Sequence, residues 1–340
     1  MSYSLIRPLL FKLSAERAHH VTLSLLRYVE PALPLLRLKQ VQIPREVMGL
    51  QFPNMVGLAA GLDKNGDCID AFGRMGFGFL EVGTVTPRPQ PGNPQPRLFR
   101  LPEKQAIINR MGFNNKGVDY LVDRLKSTRY KGIIGVNIGK NFDTPLENAL
   151  TDYLICMEKV YAYASFITVN ISSPNTKGLR DLQEAEGLTR LLNRLKFAQG
   201  KLTRIHHKAV PLVVKIAPDL DEAQLIDMAK VFNQQQVEGV IATNTTIARD
   251  QVSHLRHGNE TGGLSGAPLT QHSTEILTQL REHLDPNIPI IGVGGIMTPA
   301  DAQAKISAGA ELVQLYSGFV YSGPPLIGQV AQAVGSMKKG

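Results

Sequence analysis

The sequence predicts an α/β fold, a closed (β/α)8 TIM barrel preceded by a small N-terminal helical hairpin, and three observations carry that prediction. Short apolar runs rich in Val, Ile and Gly alternate with longer helix-like segments from residue 55 onward. Eight such runs occur, which is the number of strands that a closed barrel requires. Polar or glycine residues follow all eight runs, as expected where the carboxyl ends of strands share one pocket. We therefore divide the chain into a hairpin, residues 1–40, and a barrel, residues 41–340.

The hairpin is predicted from two amphipathic patterns. Apolar side chains in residues 5–13 recur on one helical face, and Ser14 then resembles an N-cap. A second apolar face covers residues 18–29 before Pro31 ends the pattern. Half of the net charge of +8 lies in residues 1–40. Two interpretations stay open, a hairpin packed on the barrel and a pair of helices lying on an anionic membrane surface.

The eight predicted barrel strands are short apolar runs bounded by turn residues, and they span residues 55–58, 79–85, 133–138, 166–171, 212–216, 240–243, 290–293 and 312–316. Six prolines fall between Pro87 and Pro102, counting both ends. We therefore predict a long ordered loop after the second strand.

Composition excludes several classes of protein. The chain has 37 Lys and Arg against 29 Asp and Glu, but no basic run with interleaved aromatic residues, so we expect no nucleic-acid partner. Cys68 and Cys156 are too few for a disulfide scaffold, and we expect two inert core thiols. No His, Asp and Glu set has metal-ligand spacing, so no metal site is expected. No apolar run reaches the roughly 18 to 20 residues of a membrane span, and a secretory signal is not expected.

Two glycine motifs indicate a phosphate-bearing ligand. Gly294 and Gly295 follow the seventh strand, and Ser317 and Gly318 follow the eighth. Barrels commonly bind phosphate at these two strand ends through backbone N–H groups. Either motif alone could be a tight turn, whereas the two together favour a phosphate site.

Two lysines end apolar strands, where an ammonium group is costly to desolvate without an anionic partner. Lys215 stands within a Val-Val-Lys-Ile-Ala-Pro run and would suit an anionic reduced cofactor. Lys64 would suit a substrate carboxylate. A lysine that reaches past the strand end to the surface is the alternative for either residue.

Asparagines are dense at the predicted strand ends and in glycine-flanked loops, namely Asn109, Asn114, Asn115, Asn137, Asn170, Asn175 and Asn244. Each amide offers two donors and an acceptor, so such a cluster matches a flat heterocycle or an imide edge. Any single one could instead form a turn.

Ser173 lies directly beyond the fourth strand, in residues 170–176. A serine is a poor base, so a proton-transfer role would need a relay through water or Thr176. No Ser-His-Asp pattern or nucleophile elbow surrounds it, which argues against a hydrolase. A structural turn before Pro174 is the alternative.

Five long motifs resemble dihydroorotate dehydrogenases of class 2, the quinone-dependent, membrane-associated type. They are Gly-Leu-Ala-Ala-Gly-Leu-Asp-Lys ending at Lys64, residues 81–93, residues 108–115, residues 170–176 and residues 241–245. The resemblance covers nearly the whole chain. It implies an FMN enzyme that oxidises (S)-dihydroorotate to orotate in pyrimidine biosynthesis and passes electrons to ubiquinone or menaquinone.

The resemblance also implies roles for individual residues. Ser173 would be the base that takes the C5 proton, where class 1 members carry Cys. Substrate would be held by Lys64, Asn109, Arg110, Met111, Gly112, Phe113, Asn170, Asn175, Asn244 and Thr245. FMN would be held by Ala60, Gly61, Leu62, Asp63, Lys64, Thr84, Asn137, Asn170, Lys215, Thr243, Gly266, Gly295, Tyr316 and Ser317. The quinone would lie near His19, Arg100 and Tyr316.

The same resemblance implies a peripheral protein on the cytoplasmic face of a bacterial inner membrane, bound through the hairpin. Two rival functions remain at this point. A 2-hydroxy-acid oxidase would need an active-site histidine, which no strand end supplies. A non-enzymatic membrane-binding scaffold would leave the strand-end amides and lysines unexplained.

Overall fold

A computed structural model describes residues 3–30, 40–176 and 178–337 of the chain. Its helices are α1 (Tyr3–Lys12), α2 (Ala15–Val29), α3 (Ile69–Gly73), α4 (Val118–Ser127), α5 (Ala149–Val160), α6 (Ala185–His206), α7 (Glu222–Gln235), α8 (Thr270–His283), α9 (Pro299–Ser307), α10 (Ser317–Ser322) and α11 (Pro325–Gly335). Its strands are β1 (Arg45–Val47), β2 (Leu50–Phe52), β3 (Val56–Leu58), β4 (Phe79–Val85), β5 (Leu98–Leu101), β6 (Ala106–Asn109), β7 (Ile133–Ile138), β8 (Phe166–Asn170), β9 (Leu212–Ile216), β10 (Gly239–Ala242), β11 (Gly263–Gly266), β12 (Ile290–Val293) and β13 (Leu312–Leu315).

Eight parallel strands close into a barrel in the order β3, β4, β7, β8, β9, β10, β12 and β13, and β13 pairs with β3. These are the eight predicted strands, and each begins and ends within one residue of its predicted bounds. Their near-continuous burial explains the unbroken apolar runs, because the barrel core covers one face and the helices cover the other. The predicted (β/α)8 barrel is confirmed.

The amino ends of the strands are closed by aromatic rings. Phe79 and Phe166 begin β4 and β8, and their ring centroids lie 6.1 Å apart. Phe52, at the end of the β1–β2 hairpin, packs edge-on against Phe79 with centroids 5.2 Å apart. A Cβ at Gly57 would lie 2.2 Å from the Phe79 ring, so glycine is needed there for the ring to fit. This end is filled by side chains, which leaves the carboxyl ends for a pocket.

A three-stranded antiparallel sheet in the order β11, β6 and β5 lies outside the barrel. It has its own small apolar cluster, built around Leu101, Ile108 and Leu264. The expectation of a loop throughout Pro87–Pro102 is therefore corrected, because Leu98–Leu101 forms β5 after the last of the clustered prolines. Side chains of β5 alternate between half-buried and buried, which is the pattern of a strand with one exposed face.

The N-terminal hairpin is present as two helices that contact the barrel through both polar and apolar side chains. No residue of α1 is buried, and Leu5 and Leu9 are 67% and 64% exposed. The Tyr3 hydroxyl donates to the Val320 carbonyl at 2.6 Å. Ser14 occupies the predicted N-cap position of α2, but its side chain makes no capping hydrogen bond.

Pro31, which was predicted to end the second helix, lies outside the described residues. In the part of the chain that is described, no helix has the length and apolar character needed to cross a membrane. Both cysteines are buried, as predicted for core thiols, and burial raises the pKa of each thiol, which disfavours the reactive thiolate.

Candidate active site

A polar cavity of about 130 Å³ opens at the carboxyl ends of the barrel strands, where the sequence predicted it. Nineteen of the predicted substrate, FMN and catalytic residues line it, and they are Ala60, Gly61, Lys64, Thr84, Asn109, Met111, Gly112, Phe113, Asn170, Ser173, Asn175, Lys215, Thr243, Asn244, Thr245, Gly266, Gly295, Tyr316 and Ser317. Residues at the ends of β6 and β11, in the small antiparallel sheet, form two parts of the cavity wall.

Four predicted residues do not line this cavity. Leu62 faces a second cavity instead. Asp63 is buried beneath the loop, and its carboxylate accepts from two backbone N–H groups at 2.8 Å, although burial still raises its pKa to about 6. Arg110 donates to Glu260 at 2.6 Å. The positions of Asp63 and Arg110 suit support of the cavity wall better than contact with a ligand.

Asn137 is the fourth, and it belongs to a buried polar network under the cavity. Its side-chain nitrogen donates to the Glu81 carboxylate at 2.8 Å. Its oxygen accepts from Thr84 at 2.5 Å and from Asn170 at 3.1 Å. Gln314 donates to the other Glu81 oxygen at 2.7 Å. Because each of these side chains donates to another member of the network, the network favours fixed orientations of its amides.

Lys215 presents a buried cation to the cavity. It is 5% exposed, lines the cavity wall and pairs in register with Asn170. Within the described residues, its ammonium group has no hydrogen bond or ion pair. Since a buried charge without a partner is costly, the geometry points to an anionic or acceptor group of a ligand beside it.

Lys64 lies on another wall of the same cavity. Its ammonium donates to the Gly112 carbonyl at 3.0 Å and to the Asn114 side chain. Burial, and then the charge of Arg97, lower the pKa of Lys64 to about 7. A bound carboxylate would favour the charged form of this lysine.

Ser173 lines the cavity while it also forms a local turn. Its hydroxyl oxygen accepts from the Asn175 backbone N–H at 3.2 Å, which is the turn expected before Pro174. The Asn175 side chain donates to Asn109 at 3.2 Å. The turn and the proton-transfer interpretation are therefore compatible. No histidine lines this cavity in the described part of the chain, which disfavours a hydroxy-acid oxidase.

The two glycine motifs meet on one side of the cavity, as predicted for a phosphate site. Gly294 and Gly295 have φ angles of 111° and 70°, which favour glycine. A Cβ at Gly295 would lie 2.4 Å from the Thr270 backbone, so the turn packs tightly on the start of α8. The Ser317 hydroxyl lies 2.9 Å from that of Ser265.

A second, apolar cavity of about 290 Å³ lies between the hairpin and the barrel. His19, Arg100 and Tyr316, the three predicted quinone residues, all line it. Arg100 stacks on Phe11 at 4.3 Å and donates to the carbonyl oxygens that end α1. Burial lowers the pKa of His19 to about 4, so this imidazole is neutral at physiological pH. Tyr316 lines both cavities, and burial raises its pKa to about 12.

A barrel with a pair of glycine turns, an amide-rich polar cavity and an adjoining apolar cavity defines a cofactor-binding α/β-barrel enzyme. The comparisons with known proteins are consistent with that class. The sequence model of the dihydroorotate dehydrogenase family matches residues 42–337. The chain belongs to the dihydroorotate dehydrogenase family, whose function is dihydroorotate oxidation in pyrimidine biosynthesis.

Individual relatives agree with this assignment. The chain is 58% identical over 330 residues to a dihydroorotate dehydrogenase (quinone) of Nitrosomonas eutropha, covering 97% of this chain and 96% of the relative. It is 57% identical to one of Methylobacillus flagellatus over 98% of this chain and all of the relative. The crystal structure of a DHODH from Eimeria tenella in complex with ferulenol has a TM-score of 0.84 and 37% identity, covering 92% and 90% of the two chains. The class 2 resemblance is confirmed.

Sequence reasoning missed several residues of the site. Glu81 and Gln314 stand inside apolar strands, and a polar residue in such a run is the signal that could have found them. Ser265 gave no signal, because β11 itself was not predicted. Ala59, Leu269, Val293 and Ile296 line the cavity as ordinary apolar residues.

Proposed function

We propose that this chain oxidises (S)-dihydroorotate to orotate with FMN bound in the polar cavity, and that a membrane quinone reaches the apolar cavity to receive the electron pair. The observation that carries the proposal is Tyr316, which stands on the wall of both cavities. A single side chain thus separates a polar pocket suited to the substrate from an apolar pocket suited to a lipid-soluble acceptor.

The residues around the polar cavity fit FMN. The turn at Gly294–Gly295, together with Ser317, would hold the phosphate through backbone N–H and hydroxyl groups. Lys215, which lacks a partner in the described residues, would balance the negative charge of the reduced ring. Thr84 and Asn170 would bind the polar edge of the ring. When bound, FMN supplies the hydride acceptor for C6 of the substrate.

The remaining polar groups of the cavity suit the substrate. Lys64 would bind the carboxylate, and the backbone of residues 111–113 would close one side of the ring. Asn109, Asn175 and Asn244 offer both donors and acceptors, as the imide edge requires.

Ser173 would hold the reacting proton at its Oγ atom. As it takes the C5 proton, its own hydroxyl proton would pass to a water molecule or to Thr176. The hydrogen bond from the Asn175 N–H leaves the second lone pair of Oγ available for that step.

The hairpin would place the opening of the apolar cavity at a membrane surface. Leu5 and Leu9 are exposed apolar residues on α1, and basic residues of the hairpin lie beside them. We propose a peripheral location on the cytoplasmic face of a bacterial inner membrane, with ubiquinone or menaquinone as the acceptor.

The visible spectrum of the purified protein tests the proposal. We expect a yellow protein that is bleached by dihydroorotate without oxygen and regains its colour when quinone is added. Lactate, as a 2-hydroxy acid, should leave the colour unchanged. A colourless protein that takes up no FMN would refute the cofactor assignment, and bleaching by lactate alone would favour the rival oxidase.

A further inference from the structure

A buried ion pair joins the N-terminal hairpin to the barrel side of the polar cavity. Arg97 donates through Nε at 3.0 Å and through Nη2 at 2.8 Å to Oε1 of Glu16, which lies in the first turn of α2. The two side chains are only 10% and 11% exposed. Desolvation makes a buried pair a poor source of net stability, and apolar residues of similar size would hold two elements together at least as well. Attachment of the hairpin to the barrel therefore does not by itself explain why this ion pair is present.

The other side of the Arg97 guanidinium supports the segment that lines the polar cavity. Its Nη1 donates to the carbonyl oxygens of Pro91 at 2.7 Å and Asn93 at 2.8 Å. Asn93 in turn donates its backbone N–H at 3.0 Å and its side chain at 2.8 Å to two carbonyl oxygens of residues 110–111. Residues 111–113 form part of the cavity wall. A continuous set of hydrogen bonds thus runs from α2 to the substrate wall.

Lys64 lies at the far end of this set, where it donates to the Gly112 carbonyl at 3.0 Å. The charges of the pair also act on Lys64, since Arg97 lowers the pKa of Lys64 and Glu16 raises it. His19, on the next turn of α2, is a further titratable group that interacts with Lys64, and burial keeps it neutral. The pair is therefore placed to influence both the position of the wall and the charge state of the lysine.

Helix α2 connects this set of contacts with the other cavity. Ala15 and His19, on either side of Glu16 along the helix, both line the apolar cavity. We propose that Glu16 and Arg97 are positioning residues through which the docked hairpin sets how well Lys64 and residues 111–113 bind the dihydroorotate carboxylate. This inference rests on the proposed function, and it makes the acceptor-side hairpin a determinant of substrate affinity.

Equilibrium binding of orotate to the full-length holoenzyme, followed by the change in flavin absorbance from about pH 6 to pH 9, tests the proposal. Glu16→Gln removes the charge that raises the pKa of Lys64, so the alkaline loss of binding should move to lower pH by about 0.3 to 1 unit. That shift weakens binding about 2- to 10-fold above pH 8. Arg97→Met should move the same loss to higher pH. The double variant should bring it back towards the parent position.

Glu30→Gln is the matched control, because Glu30 also ties the hairpin to the barrel, through Arg129 at 3.0 Å, but at the other end of α2. It should leave the pH dependence unchanged. Equal shifts with Glu16→Gln and Glu30→Gln would overturn the proposal in favour of general loosening of the hairpin. Shifts in the same direction for Glu16→Gln and Arg97→Met, or no shift, would also overturn it.

Arg97→Lys gives a second measurement if Glu16→Gln does not fold. It keeps the charge but loses the forked hydrogen bonds, so orotate should bind more weakly at every pH with the alkaline loss in its original place. Unchanged binding would overturn the positioning role. Failure of the parent protein itself to bind orotate would refute the proposed function, and that result is visible without any variant.

Discussion

Replacing Ser173 by Ala should slow substrate-driven flavin reduction by about 10² to 10⁴, because the proton-transfer step loses its positioned group. That range equals about 2.7 to 5.4 kcal/mol in the barrier, at about 1.36 kcal/mol per decade. The hydroxyl also accepts the Asn175 N–H at 3.2 Å, and losing this hydrogen bond costs stability of about 0.5 to 1.5 kcal/mol. The catalytic loss therefore exceeds what the turn alone could account for. The catalytic loss should appear as a slower rate of flavin reduction at saturating substrate, whereas a loosened turn would weaken orotate binding.

Anaerobic stopped-flow absorbance at saturating dihydroorotate measures that rate, and an orotate titration of the same protein measures binding. Ser173→Cys should retain more activity than the alanine variant, increasingly so as the thiolate forms at higher pH. Ser172→Ala is the control, because the Ser172 hydroxyl contacts Asn244 at 3.0 Å but does not line the cavity. It should alter binding more than rate. Reduction of Ser173→Ala at the parent rate would refute the reasoning and direct attention to Thr176.

Four further predictions test other parts of the protein. Lys215→Met should weaken FMN binding or lower the flavin reduction potential, measured by fluorescence titration and a redox-dye equilibration, and unchanged values would mean a structural role. The kcat/KM for dihydroorotate should fall as pH rises through the Lys64 pKa of about 7, because only the ammonium form attracts the carboxylate; a profile flat to pH 9 would contradict this. Leu9→Glu should weaken binding to anionic vesicles in a flotation assay, whereas Ile205→Glu, at a site 68% exposed on α6, should not. Burial lowers the Lys305 pKa to about 7, so the folded chain binds fewer protons than the unfolded chain between about pH 7 and pH 10 and stability should rise there; in urea unfolding, Lys305→Met should reduce that rise and leave the contribution of Lys64, whose pKa burial also lowers to about 7.

The barrel could be predicted from the sequence because strands that are buried on both faces consist of apolar residues at successive positions. Strands such as Ile133–Ile138 and Leu212–Ile216 are buried at every position, so each is a short continuous apolar run. The polar cavity could be predicted for a related reason. In a parallel barrel the carboxyl ends of all strands lie on the same side. The strand that a residue follows in the sequence therefore determines where that residue lies around the pocket.

The small sheet could not be predicted in the same way. Gly263–Gly266 is four residues long with glycine at both ends, and it becomes a strand only through pairing with Ala106–Asn109, more than 150 residues earlier. Such long-range pairing leaves little trace in local composition. The difference between residues that contact a ligand and residues that support the cavity wall also could not be predicted from the sequence. Asp63 belongs to a motif of the family, but its carboxylate accepts hydrogen bonds from two backbone N–H groups beneath the loop.

The charge of the site also could not be read from overall composition. Lys64 and Lys215 line the polar cavity and Lys305 is buried against α8, while the carboxylates of Asp63 and Glu81 are buried close to the cavity wall. Glu81 is held by neutral amides from Asn137 and Gln314, so its charge does not cancel a lysine by direct contact. Burial lowers the pKa of Lys64 to about 7, so the charged form of this lysine gains from a negative charge on a ligand beside it. The carboxylate of the substrate and the phosphate of FMN would supply that charge, so both ligands should raise the thermal stability of the protein more than an uncharged analogue of the same ring, which differential scanning calorimetry would measure.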